Sequence, residues 1–194
     1  RYLTATNAML EKGADPDIKN QRNYNAIMIA SEQGDLESVK TLLQHKANPN
    51  LKGRFGDTAL HLAVRNNHTD LAKYLIGNGA MVGAANDEGW TSAMYAAARN
   101  DLSTLLMLLQ LNANPNATTR KGWTPLMLAV RSGHERVVAA LIDHGADVNV
   151  TSVDRKTPLF VAAENGLDGI AQLLRRSGAQ RLPAKVPKGE MEKL

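Results

Sequence analysis

The chain has 194 residues, with 23 Lys and Arg set against 19 Asp and Glu, and an apolar fraction of 43%; that balance excludes a wholly disordered chain, which would be poorer in apolar side chains. No apolar run approaches the roughly 20 residues that span a bilayer, and the opening RYLTATNAML lacks the apolar core of a secretory leader, so the chain is expected to be soluble with no membrane span. The absence of cysteine excludes disulfides and thiolate metal sites; it suits a reducing cytoplasm, the default, and equally a bacterial periplasm or secretion, so localisation stays open.

Taken in chain order, residues 10–19, LEKGADPDIK, read like the closing part of the units that follow, and by register Arg1 falls where an earlier unit would turn between helices. An earlier segment is therefore expected in the natural protein. From there a unit of 33 residues recurs without insertion, marked by Asn25, Thr58, Thr91, Thr124 and Thr157. Three columns are unbroken: Ala30, Ala63, Ala96, Ala129 and Ala162; Leu42, Leu75, Leu108, Leu141 and Leu174; and Ala47, Ala80, Ala113, Ala146 and Ala179. The units run over about 20–52, 53–85, 86–118, 119–151 and 152–180, after a partial one over 1–19.

Within each unit the marker predicts a first helix. A hydroxyl can cap its N-terminus, and Pro125 and Pro158 follow at the first helical position, where a missing N–H costs nothing. Gly34, Asn67, Asn100, Gly133 and Gly166 tolerate positive φ and end that helix. A second helix then runs back; in the fourth unit Val137, Val138, Leu141 and Ile142 form its apolar face. Gly79, Gly145 and Gly178 close it in three copies, with Lys46 and Asn112 in the glycine's place in the others. What remains, such as ADVNVTSVDRK, reads as a turn projecting from the stack. In the fifth unit Arg175 replaces the aliphatic residue of Leu43, Ile76, Leu109 and Ile142, as a terminal cap requires. Residues 181–194 read as a mobile basic tail with Pro183 and Pro187.

The segments TALHLAV, TPLMLAV and TPLFVAA, with HGADVNV, resemble the ankyrin repeat over about residues 1–180. The resemblance implies an all-α solenoid: stacked antiparallel helix pairs with β-turn fingers, whose fingers and inner helices line a concave groove. His61 holds the family's histidine place once, with Met28, Met94, Met127 and Phe160 in the other units.

Since the fixed columns are buried, a partner must be read by the variable ones. Tyr24, Phe55, Trp90 and Trp123 fall on fingers, and both tryptophans of the chain occupy one finger column in adjacent units. Interface hot spots are enriched in Trp, Tyr and Arg. The other reading is that each indole folds back over the neighbouring finger. Arg65, Arg99 and Arg131 fall on the groove side of the inner helices, beside the tryptophans, which suits a protein or peptide with acidic and apolar anchors.

Catalytic chemistry finds no support in the pattern. The histidines at 45, 61, 68, 134 and 144 take structural places with no ligand spacing, so no metal is expected. The glycines recur with the unit and form no phosphate-binding loop, so no cofactor is expected. Acidic residues are interspersed with basic ones, which argues against nucleic acid as partner. The expectation is a monomeric, non-catalytic scaffold or adaptor; the alternatives are a regulatory or targeting domain of a larger enzyme or channel, a bacterial effector or protective protein, or a binder of anionic surfaces.

Overall fold

The computed structural model describes residues 8–180. The expected tail lies outside them, as do the first seven residues. Residues 8–11 are helical, and five helix pairs follow among the described residues: Ala26–Gln33 with Leu36–Gln44, Ala59–Arg65 with Thr69–Gly77, Ser92–Ala98 with Leu102–Gln110, Pro125–Arg131 with Glu135–Asp143, and Pro158–Glu164 with Asp168–Arg176. The first member of each pair is here called inner and the second outer. The two helices of each pair pack on each other, inner helices pack on inner ones, and from the second pair onward outer helices pack on outer ones, so the core is built between neighbouring pairs.

The fixed columns are the core. The five alanines of the inner helices are 0–6% exposed and the five leucines of the outer helices 0–2%. Alanine here sets the distance between helix axes, because a larger side chain would overpack a contact already at interior density. Four of the five inner helices begin with the side-chain cap that the sequence predicts. The side chains of Asn25, Thr124 and Thr157 accept from the backbone N–H of Met28, Met127 and Phe160, and Thr58 shares a capping box with His61. Thr91 makes no such bond and its hydroxyl is buried without a partner.

The turn column is left-handed throughout: φ is 75° at Gly34, 61° at Asn67 and Asn100, 72° at Gly133 and 65° at Gly166. So is the column closing the outer helices, including Lys46 at 65° and Asn112 at 64°. A lysine there accepts a steric cost that glycine at 79, 145 and 178 avoids. Arg175, in the column where Leu109 is buried, is exposed.

Successive pairs are also stitched by polar groups. Asn50 donates to the carbonyl of Gly79 at 2.8 Å and accepts from the N–H of Met81 at 2.8 Å. Asn116 does the same with Gly145 and Asp147, and Asn149 with Gly178 and Gln180. In the second pair this column holds Gly83, which has no side chain to clamp the third.

Candidate functional site

The fingers stand side by side because their backbones nearly touch. The N–H of Asp87 donates to the carbonyl of Phe55 at 3.0 Å, that of Arg120 to Glu88 at 2.9 Å, and that of Val153 to Lys121 at 3.0 Å. A Cβ added at Gly89, whose φ is 80°, would lie 2.9 Å from Thr119 Cα, so only glycine permits this spacing.

Trp90 and Trp123 project from adjacent fingers into one cleft of about 190 Å³, lined also by Glu88, Thr119, Lys121, Leu128 and Arg131. Leu128 and Arg131 come from an inner helix, so fingers and inner helices do share this face. Both indoles are half-buried. Trp90 lies against the Tyr95 ring, centroids 5.0 Å apart at 34°. Trp123 packs against the core, with the guanidinium of Arg131 over its ring at 4.9 Å from the centroid. The indoles therefore do have structural contacts, and each still turns part of its surface to the cleft.

Beneath Trp90 lies a buried polar network. Asn86, 9% exposed, accepts from the N–H groups of Glu88 and Trp90 and donates to Asp57 Oδ1 at 2.8 Å. Asp57 is only 2% exposed and receives Arg65 Nη1 at 2.9 Å. The Tyr95 hydroxyl is 3.1 Å from Asn86 Nδ2 and 3.4 Å from Asp57 Oδ1. Burial, and then the Asp57 carboxylate, push the Tyr95 phenol above its ordinary value. Burial works against the Arg65 charge, but Asp57 and the two neighbouring tyrosines outweigh it and hold its pKa above the ordinary value.

His61 ties this network to the finger. Its Nδ1 accepts from the Thr58 N–H at 3.1 Å, so the proton sits on Nε2, which donates to the Trp90 carbonyl at 3.0 Å. Burial, helped by the Lys52 charge, holds the imidazole below its ordinary pKa although Asp57 pulls the other way. The other engaged histidines also serve structure: Nε2 of His68 meets the Glu32 carbonyl, that of His134 the Ala98 carbonyl, and Nδ1 of His144 the Ala140 carbonyl of its own helix.

Of the seven residues singled out from the sequence, the structure gathers Trp90, Trp123 and Arg131 in one place. The expectation that all three arginines stand beside the tryptophans is corrected. Arg65 is turned to Asp57 and to Glu32 at 3.7 Å, and Arg99 donates to Asn67 Oδ1 at 3.2 Å in the preceding turn. Phe55 is 61% exposed at its fingertip, under the Arg54 guanidinium, with φ at 64°. Tyr24 is half-buried beside Gly53. Sequence reasoning missed Tyr95, although it is the polar exception in a column otherwise filled by Ile29, Leu62, Leu128 and Val161.

No helix among the described residues is long and apolar enough to cross a membrane. No curated protein matches the chain. A family model described as ankyrin repeats (3 copies) matches residues 1–86, 27–119 and 93–182, and ankyrin repeats are generally protein–protein interaction modules. With matches extending over 1–182 and an all-α stack of helix pairs bearing fingers, the chain belongs to the ankyrin-repeat family.

Proposed function

We propose that this chain is a non-catalytic scaffold that binds a segment of a partner protein across its fingers and inner helices, with the Trp90–Trp123 cleft as the centre of contact. The observation that carries the reading is the pairing of the chain's two tryptophans around one cleft that a ring and an inner-helix cation hold in shape. A volume of about 190 Å³ is small beside the roughly 300–1,000 Å³ of small-molecule sites and suits one large apolar side chain. The exposed ring of Phe55 offers a second anchor one finger away. Tyr24, Arg65 and Arg99 take the periphery, where rim contacts contribute less.

The test is a photo-crosslinking side chain placed at Lys121 in the cleft, with a control at Lys73 on an outer helix, exposed in native lysate. A protein captured from 121 and not from 73, and lost when Trp90 and Trp123 are both changed to alanine in a chain that circular dichroism shows folded, supports the reading. Undiminished capture by the folded double variant overturns it.

A further inference from the structure

Along this face, the residue preceding the inner-helix cap and the one eight positions later meet in the second, fourth and fifth pairs. In the second pair they are Asp57 and Arg65, an ion pair at 2.9 Å. In the fifth they are Lys156 and Glu164, an ion pair at 2.6 Å. In the fourth they are Trp123 and Arg131, where the cation meets a ring at 4.9 Å from its centroid in place of a carboxylate. In the third, Trp90 is followed by Ala98, which supplies no charge at all. Arg65 and Lys156 are thus neutralised within the fold, whereas Arg131 has no carboxylate within 4.0 Å among the described residues. Lys121, across the same cleft, has none either. Glu88, the acid of the cleft, has Arg120 at 3.8 Å.

We infer that the segment bound at the cleft carries a carboxylate next to its large apolar side chain, the carboxylate taken by Arg131 and Lys121 and the apolar group by the two indoles. This rests on the reading of the cleft as the centre of partner contact. A guanidinium stacked on an indole uses its face and keeps its N–H edge for a bidentate acceptor, and the stack removes side-chain freedom before binding. Indole faces also attract cations. Arg131 already covers Trp123, however, and a cationic anchor would enter beside two positive charges that have no carboxylate within 4.0 Å among the described residues, Lys121 feeling Asp154 only at longer range, so the acidic anchor is favoured.

Panning a phage-displayed library of random dodecapeptides on the full chain tests this. Selected peptides carrying a fluorescent label are then titrated by fluorescence anisotropy, which reads binding in the variant without tryptophan as well, while the intrinsic emission of the wild type reports the cleft that the chain's only two tryptophans line. The expected result is enrichment of Asp or Glu within two residues of an aromatic or large aliphatic residue. Affinity should fall by about tenfold or more in Arg131→Glu and less in Arg131→Lys, and a peptide with Lys in place of its acid should bind Arg131→Glu better than wild type. Enriched peptides without acids, or equal affinity for Arg131→Glu, overturn the inference while leaving the cleft as the contact site if the tryptophan variants still abolish binding. Acidic peptides bound equally by the folded double tryptophan variant, or no enrichment at all, overturn both.

Discussion

The junctions on either side of the third helix pair carry the two tryptophan fingers, and they are held by different means. At the junction with the second pair, His61 binds the Trp90 carbonyl and the Asp57–Asn86–Tyr95 network lies beneath the finger, while Gly83 lacks the asparagine clamp and the Thr69–Thr104 and Arg99–Asn67 bonds join the helix turns instead. At the junction with the fourth pair, the histidine place holds the fully buried Met94, Trp123 rests on the core, and Asn116 clamps the far end through Gly145 and Asp147. One junction is fixed by polar groups next to the groove, the other by apolar packing there and a polar clamp opposite. Two equivalent tryptophans can thus be positioned by networks with different sensitivity to pH and mutation.

Removing the polar support is expected to have the largest effect. Asp57→Ala leaves Arg65, Asn86 and Tyr95 without their shared buried acceptor and should cost about 2–3 kcal/mol by urea unfolding. In a Trp123→Phe background the emission of Trp90 should shift as well; a loss below about 0.5 kcal/mol with unchanged emission would break the contrast. Repairing the absent clamp should act in the opposite direction. Nothing lies within 4 Å of a Cβ added at Gly83. By register, Asn at that position reaches the carbonyl of Asn112 and the N–H of Asn114, so Gly83→Asn should stabilise by about 1–2 kcal/mol. A neutral or destabilising result would mean that this junction is spaced differently from its neighbours.

The smallest effect concerns pH. His61 has a folded pKa below its ordinary value of 6.5, so the unfolded chain takes up the extra proton first as pH falls. The stability conferred is complete above about 6.5 and drains away below it. His61→Met, which copies Met94, should flatten the decline in urea midpoint between pH 7.5 and pH 5.5, and an unchanged slope would remove His61 from the account. Trp90 emission should respond over that range more than Trp123 emission, compared in single-tryptophan variants.

Much of the fold was legible because it repeats. A column that stays alanine or leucine through five copies can only be a packing column, and a Gly or Asn recurring nine residues after a helix cap can only be a left-handed turn. Gly34 and Asn67 illustrate the second and Ala96 and Leu108 the first. The site was legible in part. Counting aromatics on fingers found Trp90 and Trp123, but treating every groove-side arginine as available placed Arg65 and Arg99 beside them. Whether a guanidinium is free depends on what stands across from it, and Asp57 and Asn67 come from other parts of the register. Tyr95 escaped notice because an aromatic inside a helix looks like core until its hydroxyl is seen meeting Asn86.

The sequence by itself determined the family, the unit length, the core columns and the two tryptophans, since these follow from nearest-neighbour stacking and local backbone preference, which act at fixed offsets along the chain. Only the tertiary structure decided that Trp90 leans on Tyr95, that Arg131 lies on Trp123 with no carboxylate partner among the described residues, and that His61 holds one finger while Asn116 clamps the next junction. The physical reason is that side-chain charge and hydrogen-bond capacity are satisfied through space, across separations from 5 to 29 residues and at angles that a linear pattern does not carry.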